Sequence, residues 1–164
     1  ECRNRSKIMF IDKTFDFSSL NAVVLTGGFK TKEHADGIEE VAKIIGQQGP
    51  KVYNVGPVFY YKQSVSHVFN RFVTHEFEYI KNQILPSLVL DIQFEIDNYF
   101  QNITSASYEY FSVIGILCPE NMPKSCAHTI PGTEKPLYPD KGHLTVDASS
   151  WVAKELKKNG LNFE

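Results

Sequence analysis

Asp140 and His143 stand three residues apart in the stretch PLYPDKGHLT, residues 136–145, just ahead of a segment patterned as a helix. A nucleophilic hydroxyl needs a base to take its proton. The base in turn needs a carboxylate to hold its tautomer and stabilise its cation. At this spacing in a turn, Asp and His can place both side chains on one side of the same loop. The bland reading is that Asp140 merely caps a turn beside Gly142. The sharper one is that the pair is two thirds of a catalytic triad. Spacing alone does not choose between them.

Other side chains with chemistry carry weaker patterns. Cys118 and Cys126 lie eight apart in LCPENMPKSCAH, an irregular, proline-containing stretch that a small disulfide loop would pin. A zinc site would want more ligands than these two and His128, so no metal is expected. Cys2 reads either as an inert free thiol or as the partner of a cysteine upstream of residue 1 in an oxidising compartment. His67 reads as an exposed loop histidine, with lining of a sugar site as the alternative. His34 falls early in a helix, and His75 and His128 sit in no recognisable pattern. Tyr53, Phe59, Tyr60, Tyr61 and Phe69 could stack on a carbohydrate ring, but core or edge packing is the plainer reading.

Composition narrows the function classes. The chain has 164 residues, 42% hydrophobic and 22% charged, as expected of one globular domain over residues 1–164. A net charge of −2 gives no basic footprint, so no nucleic-acid partner is expected. The most apolar stretch, ILPSLVLDIQF, is interrupted by Pro86, Asp91 and Gln93 and does not reach membrane-spanning length. The start, ECRNRSKIMF, has neither an initiating Met nor the apolar segment of a signal peptide. The sequence reads as a piece of something longer.

The elements that must position Asp140 and His143 follow from periodicity. NAVVLTGG is an almost wholly apolar run ending in glycines, as in a strand buried on both faces of a parallel sheet. TKEHADGIEEVAKIIGQQG follows with Ile38, Val41, Ile44 and Ile45 at helical spacing and Gly49 as a stop. PKVYNVGPV is a second apolar strand, completing a strand–helix–strand unit. Residues 59–75 read as a loop or short helix, and Glu76 to Phe100 as a helix kinked or divided at Pro86. YEYFSVIGIL reads as a third strand running into Cys118, and residues 118–142 as a long loop. LTVDASSWVAKELKKNG closes the domain as an amphipathic helix, with Val146, Trp151, Val152 and Leu156 toward the core. The fold class is therefore α/β, three-layered, with a mainly parallel sheet and helices on both faces. Sites in such sheets gather beyond the carboxyl ends of the strands, here expected at Gly27-Gly28, Gly56-Pro57 and Leu117-Cys118.

PLYPDKGHLTVDASSWVAKEL resembles the last motif block of the SGNH hydrolases, in the version fused to acyltransferase-3 membrane proteins. That block runs tyrosine, aspartate, two variable residues, then His-Leu-Ser or His-Leu-Thr. Here it is Tyr138, Asp140, Lys141-Gly142, His143, Leu144, Thr145. NAVVLTGGF is similar to that family's third strand and KVYNVGPVFYY to the strand leading to a Gly-Pro near the substrate. The Cys118/Cys126 loop resembles the paired cysteines ahead of the Asp-His block. The resemblance covers most of residues 1–157 and is specific only in its last block.

The resemblance implies an α/β fold of SGNH or flavodoxin-like type and a serine-dependent O-acyl transfer to, or hydrolysis from, a cell-surface glycan. His143 would be the general base and Asp140 its orienting carboxylate. Backbone N–H groups near Gly27 and Gly28 would help hold the oxyanion, each worth roughly 3 kcal/mol. It further implies an extracytoplasmic location tethered through a membrane domain, an acyl donor delivered by that domain and a glycan or lipopolysaccharide-type acceptor, with no cofactor. One residue is missing: no Gly-Asp-Ser occurs, nor a G-x-S-x-G elbow. The nucleophile and its strand are expected upstream of residue 1, or on a second chain. The alternative is a catalytically incomplete module of the same fold that binds a glycan or a partner. A nucleotide-binding α/β domain is disfavoured, because TGGFKTKEH is neither a G-x-G-x-x-G fingerprint nor a P-loop.

Overall fold

A computed structural model describes residues 16–27 and 32–162 of the chain. Three parallel strands form one sheet in the order β1 (Ala22–Thr26), β2 (Lys51–Val55), β3 (Glu109–Phe111). Val23 pairs with Val52, and Tyr53 with Glu109. Helix α1 (Lys32–Gly46) joins β1 to β2 and ends on glutamines 47 and 48 and Gly49, whose φ of 117° suits glycine. After β2 come α2 (Val65–Arg71), then α3 (Phe77–Tyr79), a π-helical turn (Ile80–Ile84) and α4 (Leu85–Ser87) as one continuous rod. Helix α5 (Ile92–Asn102) precedes β3, α6 (Val113–Leu117) follows it, and α7 (Val146–Lys158) closes the fold.

The pleat sends alternate residues to two apolar layers. On one face Val23, Leu25 and Val52 meet Ala42 and Ile45 of α1 and Ile96 and Phe100 of α5. On the other, Tyr53 and Phe111 meet a larger cluster built from α2, the α3–α4 rod, α6 and α7. Helices thus cover both faces, as the alternation of apolar runs and helical periods predicts.

Three local expectations are corrected. The apolar run of β1 is not buried on both faces: Val24 is 40% exposed. β1 is the outer strand among the described residues, and only Ala22 of it packs against the larger cluster. Of the kink or division expected at Pro86, the structure shows division, with Val89 leaving the helix to bridge Tyr61 in an antiparallel pairing. YEYFSVIGIL is not one strand. Ser112 caps a helix, accepting a hydrogen bond from the Gly115 N–H, and Val113, Ile114 and Leu117 bury one helical face. The third strand therefore ends at Phe111 and not at Leu117-Cys118. Finally, Val146 is 83% exposed. The core stripe of α7 runs through Ala148, Val152 and Leu156 at intervals of four, and Val146 lies off that line. Trp151 is half-buried against the same core.

Candidate functional site

The carboxyl end of β2 leads through Gly56-Pro57 into Val58–Lys62, which runs alongside the Asp140–His143 loop. The Tyr61 N–H donates to the Lys141 carbonyl at 2.7 Å, and the Val65 N–H to the Asp140 carbonyl at 3.4 Å. On its other side the same segment pairs with residues 88–90: the Leu90 N–H donates to the Tyr60 carbonyl (2.8 Å) and the Lys62 N–H to the Leu88 carbonyl (2.7 Å). The far end of the loop is fixed by Thr145. Its N–H donates to the Leu137 carbonyl at 2.8 Å, and its hydroxyl caps α7 by accepting from the Ala148 N–H.

Within the loop, one carboxylate is fully engaged. Asp140 Oδ1 accepts the backbone N–H groups of Gly142 and His143, each at 2.9 Å, and Oδ2 pairs with His143 Nδ1 at 2.7 Å. The backbone N–H of Gly142, then that of His143, then its imidazole hold the Asp140 carboxyl down at about 2. An anion pinned this way keeps Nδ1 protonated and turns Nε2 outward as the basic nitrogen. The His143 side chain is 87% exposed and that of Asp140 45%. Among the described residues no hydroxyl hydrogen-bonds the imidazole.

Beneath the loop lies an aromatic floor. Tyr138 is buried, its ring 4.8 Å from that of Phe59 and 5.3 Å from that of Tyr61. The Tyr61 hydroxyl shares a 2.6 Å hydrogen bond with His128 Nδ1. Burial, helped by the Lys81 charge, lowers the His128 pKa to about 4, so this histidine is a neutral packing residue at pH 7. Of the aromatics considered for sugar stacking, Tyr53, Phe59 and Tyr61 are core, and Phe69 stacks on Phe77. Tyr60 and Tyr61 both border the open cavity beside His143, which has a volume of about 430 Å³, and of the two Tyr60 is the half-buried one while Tyr61 is buried.

A second carboxylate lies deeper. Asp97 of α5 is fully buried and accepts from the Tyr110 hydroxyl (2.5 Å), the Ser112 hydroxyl (2.8 Å) and the Gln101 amide (2.5 Å). Desolvation raises its pKa, against these three bonds. A Cβ on Gly56 would lie 2.1 Å from the Tyr110 hydroxyl oxygen, so glycine is what lets β2 end against this network.

Gly27 is exposed at the carboxyl end of β1, while Gly28 and Cys2 lie outside the described residues. Cys118 and Cys126 are joined in a disulfide. His67 is exposed on α2 and the structure gives it no contact with the pair. Among the described residues no group of three or more His, Cys, Asp and Glu could hold a metal ion, and no helix is long and apolar enough to cross a membrane. No sequence signal marks Leu90, which reaches the cavity only through the pairing of residues 88–90 with 60–62.

Comparison with known proteins bears on the family and the fold. The sequence model of the family described as "SGNH domain (fused to AT3 domains)" matches residues 6–158. No curated protein matches the chain. Among solved structures it is similar to the periplasmic domain of the lipopolysaccharide acetyltransferase of Salmonella ser. Paratyphi A, with a TM-score of 0.66 and 20% identity. The match covers 87% of this chain and 57% of that one, so the chain spans little more than half of that domain's length.

Proposed function

The chain belongs to the SGNH domains that are fused to AT3 domains, and from that premise we propose that it supplies the base half of a serine-dependent O-acyl transfer to a glycan outside the cytoplasmic membrane. The observation that carries this reading is the Asp140–His143 pair, bonded at 2.7 Å with Nε2 facing open space. The serine comes from residues upstream or from a second chain. Among the described residues no strand lies outside β1 and Val24 is exposed at its middle, which leaves room for a further strand there to carry that serine.

In the first half-reaction His143 Nε2 takes the serine proton as the serine oxygen attacks the acyl carbonyl of the donor. The donor's leaving oxygen departs with that proton. In the second, Nε2 takes the proton of a sugar hydroxyl, whose oxygen forms the new ester bond. The serine–acyl bond breaks and the serine oxygen recovers the proton. Water in place of the sugar gives hydrolysis by the same steps. Asp140 stays an anion throughout and balances the imidazolium. Backbone N–H groups including that of Gly27 serve the oxyanion. The acyl donor reaches the site through the AT3 membrane domain, and the acceptor is a glycan of lipopolysaccharide type, as the neighbouring structure's own activity suggests. The Cys118–Cys126 disulfide fits an oxidising, extracytoplasmic compartment.

The test is hydrolysis of p-nitrophenyl acetate by the native protein that contains this chain, with and without His143→Ala. Loss of on the order of 10³-fold or more is expected. Equal rates would remove the base from the mechanism and leave a module of this fold that binds without chemistry.

A further inference from the structure

The cavity of about 430 Å³ beside His143 is bounded by Tyr60, Tyr61, Leu90, Asp140, Lys141 and Gly142. Its floor is a ring held in an unusual way. A Cβ built on Gly142 would fall 2.0 Å from Tyr60 Cδ1 and 2.2 Å from Cε1, so the Tyr60 ring rests directly on the backbone between Asp140 and His143. Only a residue without a side chain permits that approach. The ring is held from behind as well, since its own carbonyl accepts the Leu90 N–H and the next N–H binds the Lys141 carbonyl. Tyr60 is half-buried, whereas Phe59 and Tyr61 on either side are buried.

This is the composition of a site for a ring with one apolar face and a polar edge. Asp140 is consumed by three hydrogen bonds inside the loop, so the floor offers ring carbons and a leucine side chain. The polar residues that line the cavity are Asp140, Lys141 and His143. A base that deprotonates a sugar hydroxyl needs that sugar within a hydrogen bond of Nε2, and this cavity adjoins it. We infer that Tyr60 is the acceptor platform: a pyranose ring of the glycan lies with its C–H face on Tyr60 and Leu90, its hydroxyl edge turned to His143 and Lys141. The inference rests on the reading of His143 as the base. It makes Gly142 a specificity residue, because it sets the height of the platform against the imidazole.

The experiment is saturation-transfer NMR on the native protein with methyl β-D-galactopyranoside, a sugar with an uninterrupted C–H face, as probe. Saturation concentrated on that face is expected, with affinity about tenfold weaker in Tyr60→Ala and retained in Tyr60→Trp. Gly142→Ala keeps the tyrosine but lifts its ring, and the same loss is expected there, with circular dichroism confirming that each variant is folded. Equal binding by wild type and Tyr60→Ala overturns the platform. So does preferential contact of n-butyl acetate with Tyr60, which would make the cavity an acyl pocket. Binding involves no proton transfer, so its failure leaves the ester-hydrolysis result on His143 standing, and the converse also holds.

Discussion

His143 and His128 lie on the same polypeptide stretch and are used in opposite ways. His143 stands at the rim, exposed, with its Nδ1 on a carboxylate whose pKa is held at about 2. His128 sits in the floor beneath, paired with the neutral Tyr61 hydroxyl, its own pKa pushed down to about 4 by burial. Both rings are oriented through Nδ1. The partner's charge and the surrounding solvent decide the rest: His143 has an anion beside it and water around it, whereas a phenol and an apolar layer keep His128 neutral. The two aspartates divide similarly. Asp140 is anchored by backbone N–H groups at the surface, while Asp97 is buried among Tyr110, Ser112 and Gln101 with its pKa raised.

The largest expected effect breaks the rim pair. Asp140→Asn leaves the turn in place but offers no anion to the imidazole, and a fall in acyl transfer of about 10³-fold or more is expected, with little change in melting temperature. Because the Asp140 carboxyl stays ionised down to about pH 2, the acid limb of the rate profile should belong to another group. A limb that tracks Asp140 titration would undo the comparison.

Next comes His128. Its unfolded form takes up a proton near the ordinary value of 6.5 and its folded form only near 4, so acidification through that window favours the unfolded chain. Stability is expected to fall by about 3 kcal/mol over that range. In His128→Gln that slope should disappear from urea titrations repeated at several pH values. His143 substitutions should leave it in place.

The disulfide sharpens the comparison from outside it. Opening the nine-residue loop between Cys118 and Cys126, by Cys118→Ser with Cys126→Ser, should cost about 2.5 kcal/mol in denaturant unfolding. The smallest effect is expected at Val146, where Val146→Ser should change stability by less than about 0.5 kcal/mol because the side chain is in water.

Much of the fold and half of the site are legible in the amino-acid sequence. The Asp140–His143 pair can be read there because its whole geometry is local: three residues of chain, a turn and a following helix cap. β1, α1 and β2 are legible for the same reason, each period being expressed within a single segment. The departures have one cause as well. Val113–Leu117 carries an apolar run that suits a strand as well as a buried helix, and Ser112 tips it toward helix by capping Gly115 and bonding Asp97, fifteen residues away. Val24 reads as core until the sheet's neighbours are known. His128 has no pattern around it, because Tyr61 reaches it across 67 residues.

Local pattern thus dictates the order of the elements, the α/β class and the one carboxylate–imidazole pair, because hydrophobic period and turn chemistry act over a few residues. Packing between distant segments settles which histidine is dry, which tyrosines are buried and why Gly142 must be bare for the Tyr60 ring to lie on it. Burial and close approach are set by segments far apart in the chain, and no local pattern encodes the distance between them.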